Sequence, residues 1–228
     1  HKLAVPTESS ALKQLQLEPS IDLVWHYPMG TIHMQAPPCS TAAIQVTKIT
    51  RANVTEWLKG QLEVVLPDNI TSIELILRQE DLGTAPYYHY THGLKKHDGN
   101  CQRIAHGHRS AIDIYENNTR SRYWEKMWAD RWDDIYIGSR EDLQRTQYIE
   151  DIPHLVFAYT SSQGEFNLTL PEDHCYLVDT DTTVELLAQH IAEALTQEAP
   201  SRKFRVRAYE GVGKGAIAQA GNIKKAFY

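Results

Sequence analysis

The sequence predicts an α+β chain in which one unit (hairpin, amphipathic helix, extended strand) occurs twice. Two observations predict it. Residues 22–27, DLVWHY, and 154–159, HLVFAY, share apolar positions at a shift of 132, and each continues through a short polar turn into a second extended stretch, TIHMQAPP or EFNLTLP. A helical pattern follows each hairpin at a similar distance, and each helix is followed by an extended segment ending in glutamate, Glu80 or Glu210.

Each element has its own reason in the residues. In the first copy, TRANVTEWLKGQL sets Val54, Trp57, Leu58, Leu62 and Val65 at helical spacing, and Pro67 stops the helix. ITSIELILRQE then alternates as a strand does. The middle of the chain has no earlier counterpart. It holds APYYHYTHGL, KKHDGNC and HGHRSAIDIY, then a Trp-rich polar stretch over 123–136 that is expected to be a lid or an added assembly surface. SREDLQRTQYI follows as an expected short helix, capped by Ser139. In the second copy, DTTVELLAQHIAEAL places Val184, Leu187, Ala188, Ile191 and Leu195 on one helical face. Thr182 and Glu185 there have the spacing of a capping box. Pro200 ends that helix, and KFRVRAYE is the strand after it. The expected division is a partial, degenerate copy over residues 1–85 and a complete one over 86–228.

Composition narrows the function classes. At 228 residues with 42% hydrophobic content, the chain is long and apolar enough for a buried core. A net charge of −6 gives no support to generic binding of nucleic acid or anionic membrane. No apolar run approaches the roughly 18 residues that span a bilayer. HKLAVPTESS has no signal-peptide character, and three scattered cysteines do not make a disulfide framework, so a reducing, cytoplasmic setting is expected.

The chemistry concentrates in CQRIAHGHR, Cys101 to Arg109. Alternate residues of a strand share a face, so His106 and His108 point the same way, with Ile112 and Ile114 further along that face toward a core. Two imidazoles are too few for zinc, and His92 in YTHGL, on an extended run expected to pair with 106–115, is the natural third ligand. Three neutral nitrogens with a position left open is a catalytic rather than a closed structural pattern. Cys101 lies in a polar, Gly-containing loop; a nearby dication and Arg103 would favour its thiolate, as a fourth ligand or as a base. Cys175 is expected to pack. Asp173-His174 pairs a carboxylate with an imidazole, which suits proton transfer near neutrality, or else forms a solvated turn after Pro171.

Taken in order, YHYTHGL, C-x4-HGH, EDH, DTTVELLA and RVRAYEG resemble the 6-pyruvoyl-/6-carboxy-tetrahydropterin synthase family over roughly residues 86–217. The resemblance implies the tunnelling fold, antiparallel sheet with two helices packed on one face, here as a tandem with an incomplete first copy. It implies a zinc-dependent lyase acting on 7,8-dihydroneopterin triphosphate, in a homo-oligomer with sites at subunit interfaces. His92, His106 and His108 would hold Zn2+, Cys101 would abstract a proton, and Asp173 and His174 would relay protons. Glu210 would anchor the pterin edge, a carboxylate facing two parallel N–H donors. Glu80 would do the same for a neighbour's site. Arg103, Arg109 and Lys214 are the basic candidates for the phosphates. The first-copy equivalent of Asp173-His174 is expected near Thr41-Ala42. The 6-carboxy product of queuosine-type biosynthesis is preferred; the 6-pyruvoyl product and a non-catalytic zinc-binding assembly protein are the alternatives.

Overall fold

The computed structural model describes residues 20–42, 44–95 and 102–221. Among them the strands form two sheets. A five-stranded antiparallel sheet has the order β1 (Ile21–Tyr27), β2 (Gly30–Ala36), β9 (Gly164–Pro171), β8 (Ile152–Ser161), β7 (Leu143–Ile149). The larger sheet has the order β10 (Cys175–Val178), β6 (Ile135–Ser139), β3 (Tyr87–His92), β4 (His106–Glu116), β11 (Phe204–Gly211), β12 (Lys214–Ala220), with the two-residue β5 (Thr119–Arg120) beside β4. Pairing from β3 to β12 is antiparallel, whereas β6 joins β3, and β10 joins β6, in parallel. The helices are α1 (Arg51–Glu63), α2 (Arg122–Trp132) and α3 (Val184–Glu198). No helix among the described residues is long and apolar enough to cross a membrane.

The main core lies between the larger sheet and α2 and α3. The apolar stripe of α3 behaves as its spacing requires: Val184, Leu187, Ala188, Ile191 and Leu195 are all buried, against Ile112 and Ile114 of β4 and Val206 and Ala208 of β11. The capping box does not form. Thr183 is the N-cap without a side-chain bond, and the Thr182 hydroxyl instead donates to the Gly93 carbonyl, which ties the start of α3 to the end of β3.

Two sequence expectations fail in the middle of the chain. The Trp-rich stretch is no lid but an element of the core, with Tyr123, Lys126 and Asp130 on its exposed outer face. It is α2, and Trp124, Trp128 and Trp132 point into the core at helical spacing. Its charged residues are what hid it, yet one of them is buried as well. Glu125 accepts from the Ile114 N–H and from Arg120 on one oxygen and from Arg122 on the other, so its charge is compensated. SREDLQRTQYI is not a helix. After a turn at 140–142, Leu143–Ile149 pair with β8 as an edge strand.

His190, on α3, packs face to face with Trp132 and lies 2.9 Å from the Tyr176 hydroxyl. Burial holds its pKa below the ordinary imidazole value. As pH falls through that value, near 6.5, the unfolded chain takes up the proton first, so stability is complete above it and declines below. Denaturant unfolding at about pH 7.5 and about pH 5.5 should show a smaller acid loss for His190→Gln than for the wild type.

The first hairpin forms as expected and docks on the second. Both have two-residue loops, Pro28-Met29 and Ser162-Gln163. Each loop leads into a glycine with positive φ, 138° at Gly30 and 133° at Gly164. The structure sets the correspondence at 134 rather than 132: Gly30 answers to Gly164, Met34 to Leu168 and Pro37 to Pro171. The register of β2 with β9 (His33 opposite Thr169, Met34 opposite Leu168, Gln35 opposite Asn167) maps onto itself under that shift. A local two-fold axis therefore passes between Met34 and Leu168. The contacts obey it. A Cβ on Gly30 would strike Pro171, and a Cβ on Gly164 would strike Pro37. After each proline comes a 3-10 turn, Pro38–Ser40 or Glu172–His174. The counterparts of Asp173-His174 are thus Cys39-Ser40, not Thr41-Ala42.

α1 forms with Thr50 as its cap, the Asn53 N–H donating to the Thr50 hydroxyl, but it buries no residue. ITSIELILRQE, expected as a strand, joins no ladder among the described residues.

Candidate functional site

His92 ends β3 and is directly opposite His106 at the start of β4, with His108 two residues on along the same face. The triad sits at the end of the face that Ile112 and Ile114 extend into the core. One ring nitrogen from each lies within 4.8 Å of the other two, and among the described residues these three side chains form a group able to hold a metal ion. His92 Nε2 and His108 Nε2 are 3.1 Å apart. Two nitrogens each about 2.0–2.1 Å from one tetrahedral zinc would be roughly 3.3 Å apart.

The tautomers also fit. His108 Nδ1 lies 2.9 Å from the Glu210 carbonyl oxygen, which can only accept, so Nδ1 carries the hydrogen and Nε2 presents a lone pair toward His92. His106 Nδ1 is buried with no hydrogen-bond partner among the described residues, a polar atom that a bound ion would satisfy. Burial is the main reason that His106 and His108 hold protons less readily than a free imidazole. Lys214 lowers both further, while the Glu210 carboxylate works in the opposite sense. Neutral imidazole is the metal-binding form. The residues present therefore fit a zinc ion.

Behind the triad stands a residue the histidine motifs did not indicate. Tyr90 alternates with His92 on the same face of β3, and its ring lies 5.3 Å from both His92 and His108. Trp132 backs Tyr90 at 6.3 Å. The period-2 pattern of YYHYTH carried this signal, since whatever flanks a ligand by two positions shares its face.

Glu210 closes β11 beside the triad. Its carbonyl holds His108, and its carboxylate forms an ion pair with Lys214 across the β11–β12 turn. Arg103 is close enough to His106 to lower its pKa, and it donates to the Gln163 side chain at 3.0 Å. Arg109 points to the opposite face of β4 from His108. There it lies over the Tyr87 ring and donates to the Glu80 carbonyl at 3.0 Å. Glu80 is thereby placed on the other side of the sheet from the triad, with its backbone carbonyl engaged.

Asp173 and His174 occupy the 3-10 turn after Pro171, Asp173 exposed. Among the described contacts neither touches the triad; the His174 ring meets Tyr27 of the first hairpin edge-on at 6.1 Å. Across the local two-fold axis, Cys39 instead lies 3.8 Å from Gln163, the residue that bonds Arg103. Cys175 packs as expected, its thiol 3.3 Å from the Pro171 carbonyl and its pKa pushed up to about 12 by burial. Cys101 lies outside the described residues.

The family model for 6-pyruvoyl tetrahydropterin synthase matches residues 83–220, more than half of the chain. The chain belongs to that family. The matched span runs from just before β3 to the end of β12, and it has the synthase family's α+β tunnelling fold. Both the triad and Glu210 lie inside it; the first hairpin and α1 lie outside. The solved 6-pyruvoyl tetrahydropterin synthases of Plasmodium falciparum and Plasmodium vivax are 13% and 12% identical to this chain, with TM-scores of 0.45 and 0.44. In each case 60% of this chain and 92% of that chain are covered. Among curated proteins none matches.

Proposed function

We propose that the protein is a zinc-dependent lyase of the tetrahydropterin synthase type, acting on 7,8-dihydroneopterin triphosphate and forming the 6-carboxy product. The observation that carries this reading is the bond from His108 to the Glu210 carbonyl, because it couples the metal centre to the residue that would hold the pterin ring. His92, His106 and His108 would hold the ion, which would supply Lewis-acid polarisation at a side-chain oxygen of the substrate. Glu210 accepts two N–H bonds from the amino-pyrimidine edge, which orients the ring. Cys101 removes a carbon-bound proton next to a hydroxyl.

Asp173 and His174 would relay protons in the site of a neighbouring copy. Among the described contacts none joins their turn to the triad of its own chain, and the His174 ring meets Tyr27 instead, which favours a homo-oligomer with sites at subunit interfaces. Glu80 would act likewise toward a neighbour. Residues 1–85 are read as the rear half of a second, degenerate copy and 86–228 as the complete one. The matched hairpins support this, as does α1, which at a shift of 134 falls within α3. Cys39-Ser40 in place of the relay pair leaves that copy without relay chemistry, and this favours the second reading, a zinc-binding assembly protein without turnover.

Turnover decides between them. Zinc-loaded full-length chain is incubated with dihydroneopterin triphosphate, and the pterin products are resolved while acetaldehyde is assayed. Acetaldehyde with a 6-carboxy pterin is the expected result; a 6-pyruvoyl product would identify the sister activity. Cys101→Ala should lower the rate by about 100-fold or more, the range of a lost general base. Zinc bound without any product would sink the enzymatic reading.

A further inference from the structure

Glu210 and Lys214 are an uneven pair. The glutamate side chain is 11% exposed and the lysine side chain 76%. The hairpin turn between them, with Gly211 and Gly213 both at positive φ, folds the lysine back over the carboxylate. A largely covered carboxylate needs a compensating donor, and here a mostly exposed side chain supplies it. Such a side chain gains little from the pair and gives up little when it leaves, since its ammonium has water to return to. The position of Glu210 beside the triad is fixed independently, by its backbone carbonyl on His108. Displacing Lys214 therefore need not disturb the metal ligands.

We propose that Lys214 is a displaceable placeholder on Glu210: it occupies the carboxylate until a planar ligand with two parallel N–H donors takes its place. This rests on the reading of Glu210 as the ring anchor. The two donors of an amino-pyrimidine edge match both carboxylate oxygens, whereas one ammonium is a single point charge. The lysine thus sets a threshold that a ligand with one weak donor does not pass, and its removal should strengthen binding of an uncharged pterin rather than weaken it.

The test is equilibrium binding of neopterin, which carries no phosphate, to the zinc-supplied full chain, followed by its fluorescence. Lys214→Met should bind about two- to fivefold tighter than wild type, the span of an ion pair whose cation stays in water. Lys214→Arg, which keeps the pair, should stay near wild type or weaker. Glu210→Gln should lose most of the affinity. If Glu210→Gln loses binding while Lys214→Met is unchanged or weaker, the placeholder is wrong and the anchor stands. If Glu210→Gln binds as wild type does, or no variant binds neopterin, the anchor reading falls and takes the placeholder with it. Lys214→Gln repeats the measurement should the Met variant fail to fold.

Discussion

Replacing His108 by alanine should lower zinc affinity by at least about 100-fold, since even the outer partners of metal ligands are commonly worth 10- to 100-fold. The wild type should carry one zinc per chain, and competition with a chromophoric chelator measures the loss. His108 is the informative member because its tautomer is set by the Glu210 carbonyl, and because its Nε2 is the atom nearest His92. His89→Ala is the control. It lies on β3 with the wrong parity, exposed and beside Asp133, and it should leave zinc content unchanged. Retention of stoichiometric zinc at wild-type affinity by His108→Ala would remove the metal centre from this site.

Trp132→Ala should destabilise the chain by about 3–5 kcal/mol, the usual range for emptying a large aromatic site in a core. Trp132 is fully buried, and its ring meets Tyr88, Tyr90, Trp128, Tyr176 and His190. Denaturant or thermal unfolding measures the cost. Trp57, on the helix that buries nothing, should cost less than about 1 kcal/mol when replaced by alanine. The effect of Trp132 should also reach the metal. Tyr90 rests between Trp132 and two histidines, so a cavity behind it loosens the rings. A Trp132→Ala protein that unfolds like the wild type would show that the stacked aromatics do not bear on the core.

What could be read from sequence was what a short period carries. The two hairpins, the stripe of α3, and the convergence of His92, His106 and His108 all follow from alternation or from i, i+3, i+4 spacing, and each is present. What failed was where composition outweighed period. RYWEKMWADRW carries five charged residues in eleven, yet its tryptophans recur every fourth residue and decide the fold of the segment. LQRTQYI lacks a helical stripe and is recruited by β8 as an edge strand, a tertiary effect no local pattern contains. The position of Asp173-His174 relative to the triad was equally illegible. It depends on how two hairpins dock: the local two-fold axis sets Cys39-Ser40, not Thr41-Ala42, in the position related to Asp173-His174.

The docking of β2 on β9 also governs where foreign strands can add. Each hairpin, taken singly, would offer a row of bare amides and carbonyls along its inner rim. Laid head to tail about Met34 and Leu168, the two rims saturate one another. Among the described residues, the five-stranded sheet then ends at β1 and β7, and the larger sheet at β10 and β12. Among the described residues, unwanted polymerisation through backbone templating has those margins and the short β5 to begin from, not the seam.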